Sequence, residues 1–149
     1  MSQDHEKYME RCLELAATAK YRGKTAVGSL IVRSGEIIAE GIEGDSKLPD
    51  VLSHSEALAV LAAIETTGSR DLSGCSLYTT VEPCFMCSYL IRQMRVGTVV
   101  YGVKIMGAGG ASSNYPILKA SDINKWAGAP VVIGGILKDE CERMLSTKE

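Results

Sequence analysis

The sequence is poor in the side chains that most often stack on or ligate other molecules: one phenylalanine, one tryptophan and two histidines among 149 residues. It also lacks any run of about 20 apolar residues, which excludes a helical membrane span, and its polar start MSQDHEKYME lacks the apolar segment of a secretory signal. A cytoplasmic chain with no membrane partner is the expectation. Lysine and arginine nowhere form a dense run, and the net charge of −2 gives no long-range pull toward a phosphate backbone. Nucleic-acid binding would need a local basic patch. Cysteine is not scarce, but Cys12, Cys75, Cys84, Cys87 and Cys141 are odd in number and unevenly spaced, which suits a reduced setting better than a disulfide framework.

What is present is ordinary for a folded domain. The hydrophobic fraction is 46%, and a chain of this length can bury roughly two thirds of its unfolded surface without disulfides. One domain over 1–149 is expected. Stability therefore forces no role on the cysteines.

Apolar residues Tyr8, Met9, Cys12, Leu13, Ala16 and Ala19 recur at helical spacing from Asp4 to about Arg22, with His5 in a frayed start and Gly23 placed to end the run. The segments 26–33 and 36–41 read as two strands joined by Ser34-Gly35. Helical spacing resumes near Ala57, so His54 and Glu56 fall at a helix start. CSLYTTV at 75–81 reads as a strand, Glu82-Pro83 interrupts it, and helical spacing returns from Cys84 to about Met94. A strand at 98–103, a glycine-rich surface loop at 104–116, a strand at 131–133 and a helix from Leu137 to about Leu145 complete the order. Helices covering a sheet make an α/β layered fold. The apolar surplus in YLIRQMRV and GGIL leaves room for a homodimer.

The chemistry concentrates in HSE at 54–56 and PCFMC at 83–87. Zinc favours a tetrahedral set of thiolates and imidazole, and a catalytic zinc keeps one position for water. Cys84 and Cys87, three apart, place both sulfurs on one side of a first helical turn, where free backbone N–H groups favour negative charge. If the two helix starts lie side by side, His54 joins them, and Glu56 is placed to carry protons. Spacing alone also admits a redox CxxC, half of a four-ligand structural site, or an ordinary hydrogen-bonded histidine. Cys12, Cys75 and Cys141 read as buried small hydrophobes.

HSE followed by SLYTTVE and PCFMC resembles the zinc-dependent cytidine and deoxycytidylate deaminase superfamily, and within it the branch of tRNA adenosine, guanine and fungal-type cytosine deaminases. The resemblance runs from the first helix through AVGSLIV and VVYGV to LKDEC. It implies a three-layer α/β/α cytidine deaminase-like fold with a mixed sheet of about five strands. It also implies one zinc per chain on His54, Cys84 and Cys87, with Glu56 as proton carrier and not a ligand. Ammonia would be released from the exocyclic amine of a small nucleobase or nucleoside. The backbone N–H groups of Ser55 and Cys84 are expected near the reacting face, and Ala26 or Val27 against the flat base. Phe85 could form another wall or simply pack in the core.

The chain departs from the pattern in places. Many relatives carry asparagine after the second strand where this one has Glu43; an ionised carboxylate only accepts, so it suits a ring edge rich in N–H donors. As a plain alternative, Glu43 is a solvated loop residue. The usual HAE is HSE. No strongly basic tail is present, which lowers tRNA as a partner without removing it. Asn114 and Tyr115 are the loop residues most able to touch a ring, and turn formation or flat packing explains them equally well.

Overall fold

The computed structural model describes residues 2–146. The elements in chain order are α1 (Ser2–Tyr21), β1 (Gly28–Arg33), β2 (Glu36–Ile42), α2 (Ser55–Thr67), β3 (Cys75–Val81), α3 (Phe85–Gln93), β4 (Thr98–Val103), β5 (Val131–Ile133) and α4 (Lys138–Ser146), with short 3-10 turns at Asp50–Leu52 and Ile117–Lys119. The sheet order is β2-β1-β3-β4-β5. β1 runs antiparallel to both β2 and β3, whereas β3, β4 and β5 are mutually parallel, so the sheet is mixed.

Two cores lie on opposite faces. Met9, Cys12, Val27, Leu30, Val100 and Cys141 pack under α1 and α4. On the other face Ile31, Ala59, Val60, Leu77, Ile91 and Val99 pack under α2 and α3. Because both faces are covered, the central strands β1, β3 and β4 are buried almost throughout, whereas the edge strand β2 alternates. The result is a three-layer α/β/α fold. Some apolar surface remains on the α2 and α3 side, where Leu61, Met86 and Tyr89 are exposed.

The first turn of α2 is set by a glycine. A Cβ on Gly41 of β2 would collide with the Ser55 carbonyl and lie 2.8 Å from the Ala59 nitrogen. Only glycine lets α2 come this close to the sheet, and that approach fixes the height of its N-terminus. α2 ends at Gly68 in the left-handed region, whose N–H bonds the Ile64 carbonyl.

Two expectations need correction. His5 is not frayed: it lies within α1 with Nδ1 2.7 Å from the Tyr78 hydroxyl. The 104–116 segment is not simply a surface loop, since Gly109, Gly110 and Ala111 are buried. Its anchor is the fully buried Glu82, whose carboxylate accepts from Ile105 N (3.0 Å), Ala111 N (2.9 Å), Ser112 N (2.7 Å) and Ser112 Oγ (2.7 Å). A Cβ on Gly109 would strike that carboxylate. Further along, Arg92 of α3 donates to the carbonyls of Ile117, Ala120 and Ala127, and its guanidinium lies 4.8 Å over the Trp126 ring.

Burial pushes the Glu82 carboxyl up, but the bonds from Ser112, Ala111 and Ile105 outweigh it and hold the value below the ordinary range. The stability it contributes is therefore present at neutral pH and lost as pH falls through that depressed value. Glu82→Ala strands several buried donors at once and should cost about 3 kcal/mol or more, a fall in Tm of roughly 10 °C. Thermal unfolding at pH 7 checks this; an unchanged Tm would show that the loop is held by other means.

Candidate metal centre and active site

His54 and Cys84 occupy the same structural position in two different helices. Each is the residue immediately before the first helical turn, with extended backbone, at α2 and α3 respectively. Their carbonyls accept the first intrahelical bonds, from Leu58 N at 3.0 Å and Ser88 N at 2.8 Å. Their side chains are left to point off the helix ends, and Cys87 follows one turn into α3. Both positive helix ends thus face one point, which favours anionic ligands there.

The three donors converge. His54 Nδ1 lies 3.5 Å from Cys84 Sγ and 3.5 Å from Cys87 Sγ, and all three ligand atoms fall within 4.8 Å of one another. Tetrahedral zinc with ordinary Zn–S and Zn–N bonds requires N···S separations of about 3.5 Å. The donor set fits a single zinc, with the fourth position left to solvent or substrate. A redox CxxC gives no reason for a histidine nitrogen equidistant from both sulfurs. The remaining cysteines, Cys12, Cys75 and Cys141, are buried elsewhere and supply no fourth ligand.

Without metal, Cys84 and Cys87 shift in opposite directions. The hydrogen bond from Cys87 is the main cause that brings Cys84 down to about 5, against burial and aided by His54. Cys87 is pushed up by that same bond and by burial. Zinc requires both as thiolates, so binding it releases a proton.

Glu56 lies one residue past Ser55 in the first turn of α2, buried at 5% exposure, with Oε1 4.0 Å from Cys87 Sγ. Its carboxyl is pushed up to about 8, chiefly by burial and also by the charges of Glu43 and Cys84, with bonds from its own backbone N–H and from Ser55 acting against the rise. A carboxyl near 8 can both take and return a proton at neutral pH.

Beside these groups is a cavity of about 160 Å³ lined by Thr25, Val27, Glu43, His54, Glu56, Val81, Glu82, Cys84, Ile105 and Leu145. Of the residues singled out from sequence for substrate contact, Val27 and Glu43 are on its wall. Ala26 is buried beside Val27 but does not line it, and Phe85, Asn114 and Tyr115 stand outside it. Phe85 and Tyr115 pack edge to face instead, ring centroids 6.1 Å apart, with Tyr115 70% exposed. The Ser55 N–H is not open to a substrate: Glu43 Oε1 takes it at 2.7 Å. Sequence reasoning missed Thr25, Val81, Ile105 and Leu145. Leu145 comes from α4 at the far end of the chain, and no local pattern points to it; Glu82, adjacent to PCFMC, carried a signal that could have been read.

Comparison with known proteins agrees with the geometry. Residues 2–103 match the cytidine and deoxycytidylate deaminase zinc-binding region. The chain is 34% identical over 129 residues to the tRNA-specific adenosine deaminase of Aquifex aeolicus (strain VF5), covering 85% of each. A chain solved in work on A-to-I editing by tRNA:A34 deaminases at the wobble position of transfer RNA superposes with a TM-score of 0.84 at 29% identity, covering 93% of this chain and 99% of that one. Guanine deaminase from Bacillus subtilis superposes at 0.63 with 35% identity over 67% of this chain and 64% of that one. Among the described residues no helix is long and apolar enough to cross a membrane. With its ligand set, its fold and this match along two thirds of its length, the chain belongs to the cytidine and deoxycytidylate deaminase family and is a zinc-dependent hydrolase of the C–N bond of a cyclic amidine.

Proposed function

We propose that the protein deaminates a small free base, best a single ring such as cytosine or isocytosine, and that Glu43 reads its N–H edge. The observation that carries this reading is the Glu43 carboxylate on the wall of a cavity shared with His54, Glu56 and Cys84. One carboxylate oxygen is committed to Ser55 N–H, which leaves the other to accept from a ring or amino N–H. The volume of about 160 Å³ holds at least one ring, since a closed cavity of about 150 Å³ takes benzene, and its open side continues toward Thr25 and Glu43. Val27, Val81, Ile105 and Leu145 supply apolar faces for a flat ring.

Held by His54, Cys84 and Cys87, zinc would supply Lewis acidity and lower the pKa of a water to about 7. Glu56 carries both protons of the attacking water in turn, the first to the ring nitrogen as oxygen adds to the carbon, the second from the hydroxyl now on that carbon to the exocyclic amine, leaving a carbonyl. A carbon–oxygen bond forms, the carbon–nitrogen bond breaks, and ammonia leaves. The Glu43 charge helps by raising the affinity of Glu56 for the proton it must carry.

The names of the relatives favour a second reading, adenosine within tRNA. Against it, Arg22 and Lys24, the cations shortly before Thr25 in the chain, are matched to carboxylates, Arg22 with Asp45 at 3.5 Å and Lys24 with Asp50 at 3.2 Å, which leaves less positive charge for phosphates. Ammonia release over cytosine, isocytosine, guanine, adenine, their nucleosides and tRNA separates the two readings. Turnover confined to tRNA would overturn the first. With a reactive base in hand, Glu43→Gln should raise KM about tenfold or more with a smaller change in kcat, the loss of one charged hydrogen bond. An unchanged KM would place Glu43 outside recognition.

A further inference from the structure

Ser55 stands between His54 and Glu56 and is fully buried, as are Ser29 on β1 and Thr79 on β3. Neither hydroxyl on the strands has a part in the chemistry above. Ser29 and Thr79 face each other across the β1–β3 pair, and the three hydroxyls form a line. Ser55 Oγ is 2.7 Å from Ser29 Oγ, Ser29 Oγ is 2.8 Å from Thr79 Oγ1, and Thr79 Oγ1 is 3.1 Å from the Val81 carbonyl.

Three protons serve four contacts in this line, and its direction is set by the shorter Val81 end, where Ser29 donates to Thr79 and Thr79 to the carbonyl. The carbonyl can only accept, so Thr79 donates to Val81. Ser29 then donates to Thr79, and Ser55 to Ser29. Ser55 Oγ is also within donating distance of Glu56 Oε1, but at 3.5 Å this is the longest contact of the line, and the 2.7 Å contact to Ser29 is the better use of its one proton. Three buried hydroxyls would be costly if any were unpaired, and none is. With its N–H held by Glu43 and its hydroxyl by Ser29, Ser55 is tied at two points. Gly41 sets how closely α2 approaches β2; the hydroxyl line ties the same turn laterally to β1 and β3.

We propose that Ser55 is a positioning residue, pinning the first turn of α2 to the sheet through Ser29 and Thr79 and so setting where the His54 ring and the Glu56 carboxylate stand relative to Cys84 and Cys87. Partners that hydrogen-bond a metal ligand directly typically account for about 10- to 100-fold in metal affinity or activity, and Ser55, which acts on His54 through the backbone next to it, is expected at the lower end of that range. The proposal rests on the zinc site and not on the identity of the substrate, so failure of the small-base reading leaves its test intact.

The test uses the full chain and two metal probes: zinc affinity by competition with a colorimetric chelator, and the visible absorption of the Co²⁺ form. Ser55→Ala is expected to weaken zinc about tenfold or more and to shift the Co²⁺ bands, with Ser29→Ala and the nearly isosteric Thr79→Val changing both in the same direction. Combining Ser29→Ala with Ser55→Ala should weaken zinc no further than Ser55→Ala alone, because both cut one link. A Ser55→Ala protein with zinc affinity within about twofold of the parent and an unshifted Co²⁺ spectrum overturns the proposal, even if its Tm falls, for the line would then be packing alone. Should Ser55→Ala not fold, unchanged zinc affinity in both Ser29→Ala and Thr79→Val overturns it equally.

Discussion

Glu56→Gln is expected to keep zinc close to one per chain and to lose turnover by about 100- to 10,000-fold, the range that a positioned acid–base group contributes. The amide keeps the shape of the carboxylate and the bond to its own backbone but cannot accept a proton. Zinc analysis and steady-state ammonia release on the same sample make the test. Substantial turnover in the variant would remove Glu56 from the proton path. The same substitution has a second consequence in the metal-free protein. A carboxyl raised to about 8 on folding stabilises the fold while protonated, and that stability is lost as pH rises from the ordinary carboxylate range toward 8. Metal-free parent protein should therefore lose Tm between pH 5 and 8 more steeply than metal-free Glu56→Gln. Zinc stabilises the carboxylate, so the difference should shrink when the metal is loaded.

Cys84→Ala and Cys87→Ala should each lose metal and activity together. Removing a ligand is expected to weaken zinc beyond the roughly 10- to 100-fold that loss of an outer partner costs. The two variants should differ in one respect. The bond from Cys87 is the main cause of the low value of Cys84, so in metal-free Cys87→Ala the Cys84 thiol should titrate well above 5, read from the pH dependence of its alkylation. Full zinc in either variant would show that the ligand set is wrong.

Much of this was legible from residue order, for reasons that differ between elements. The strands at 75–81, 98–103 and 131–133 match their sequence-based bounds because β-branched runs sit between clear breakers. α2 begins at Ser55, two residues before its apolar spacing starts, since a helix start is set by capping and not by periodicity. The ligands could be found because HSE and PCFMC both fall where a strand or loop hands over to a helix. Substrate contacts were less legible. Val27 and Glu43 reach the cavity, but Phe85 turns to Tyr115, and Ile105 and Leu145 arrive through long-range packing that no spacing encodes. Glycine at 104–116 suggested a surface loop, whereas Gly109 is there to clear the Glu82 carboxylate.

The account stands most directly on ammonia release from the base and nucleoside panel by one preparation carried through chelation and zinc reloading. The expected result is turnover of at least one small base at one zinc per chain, lost on chelation and restored by zinc. A preparation holding one zinc per chain that releases no ammonia from any base, nucleoside or tRNA would contradict it.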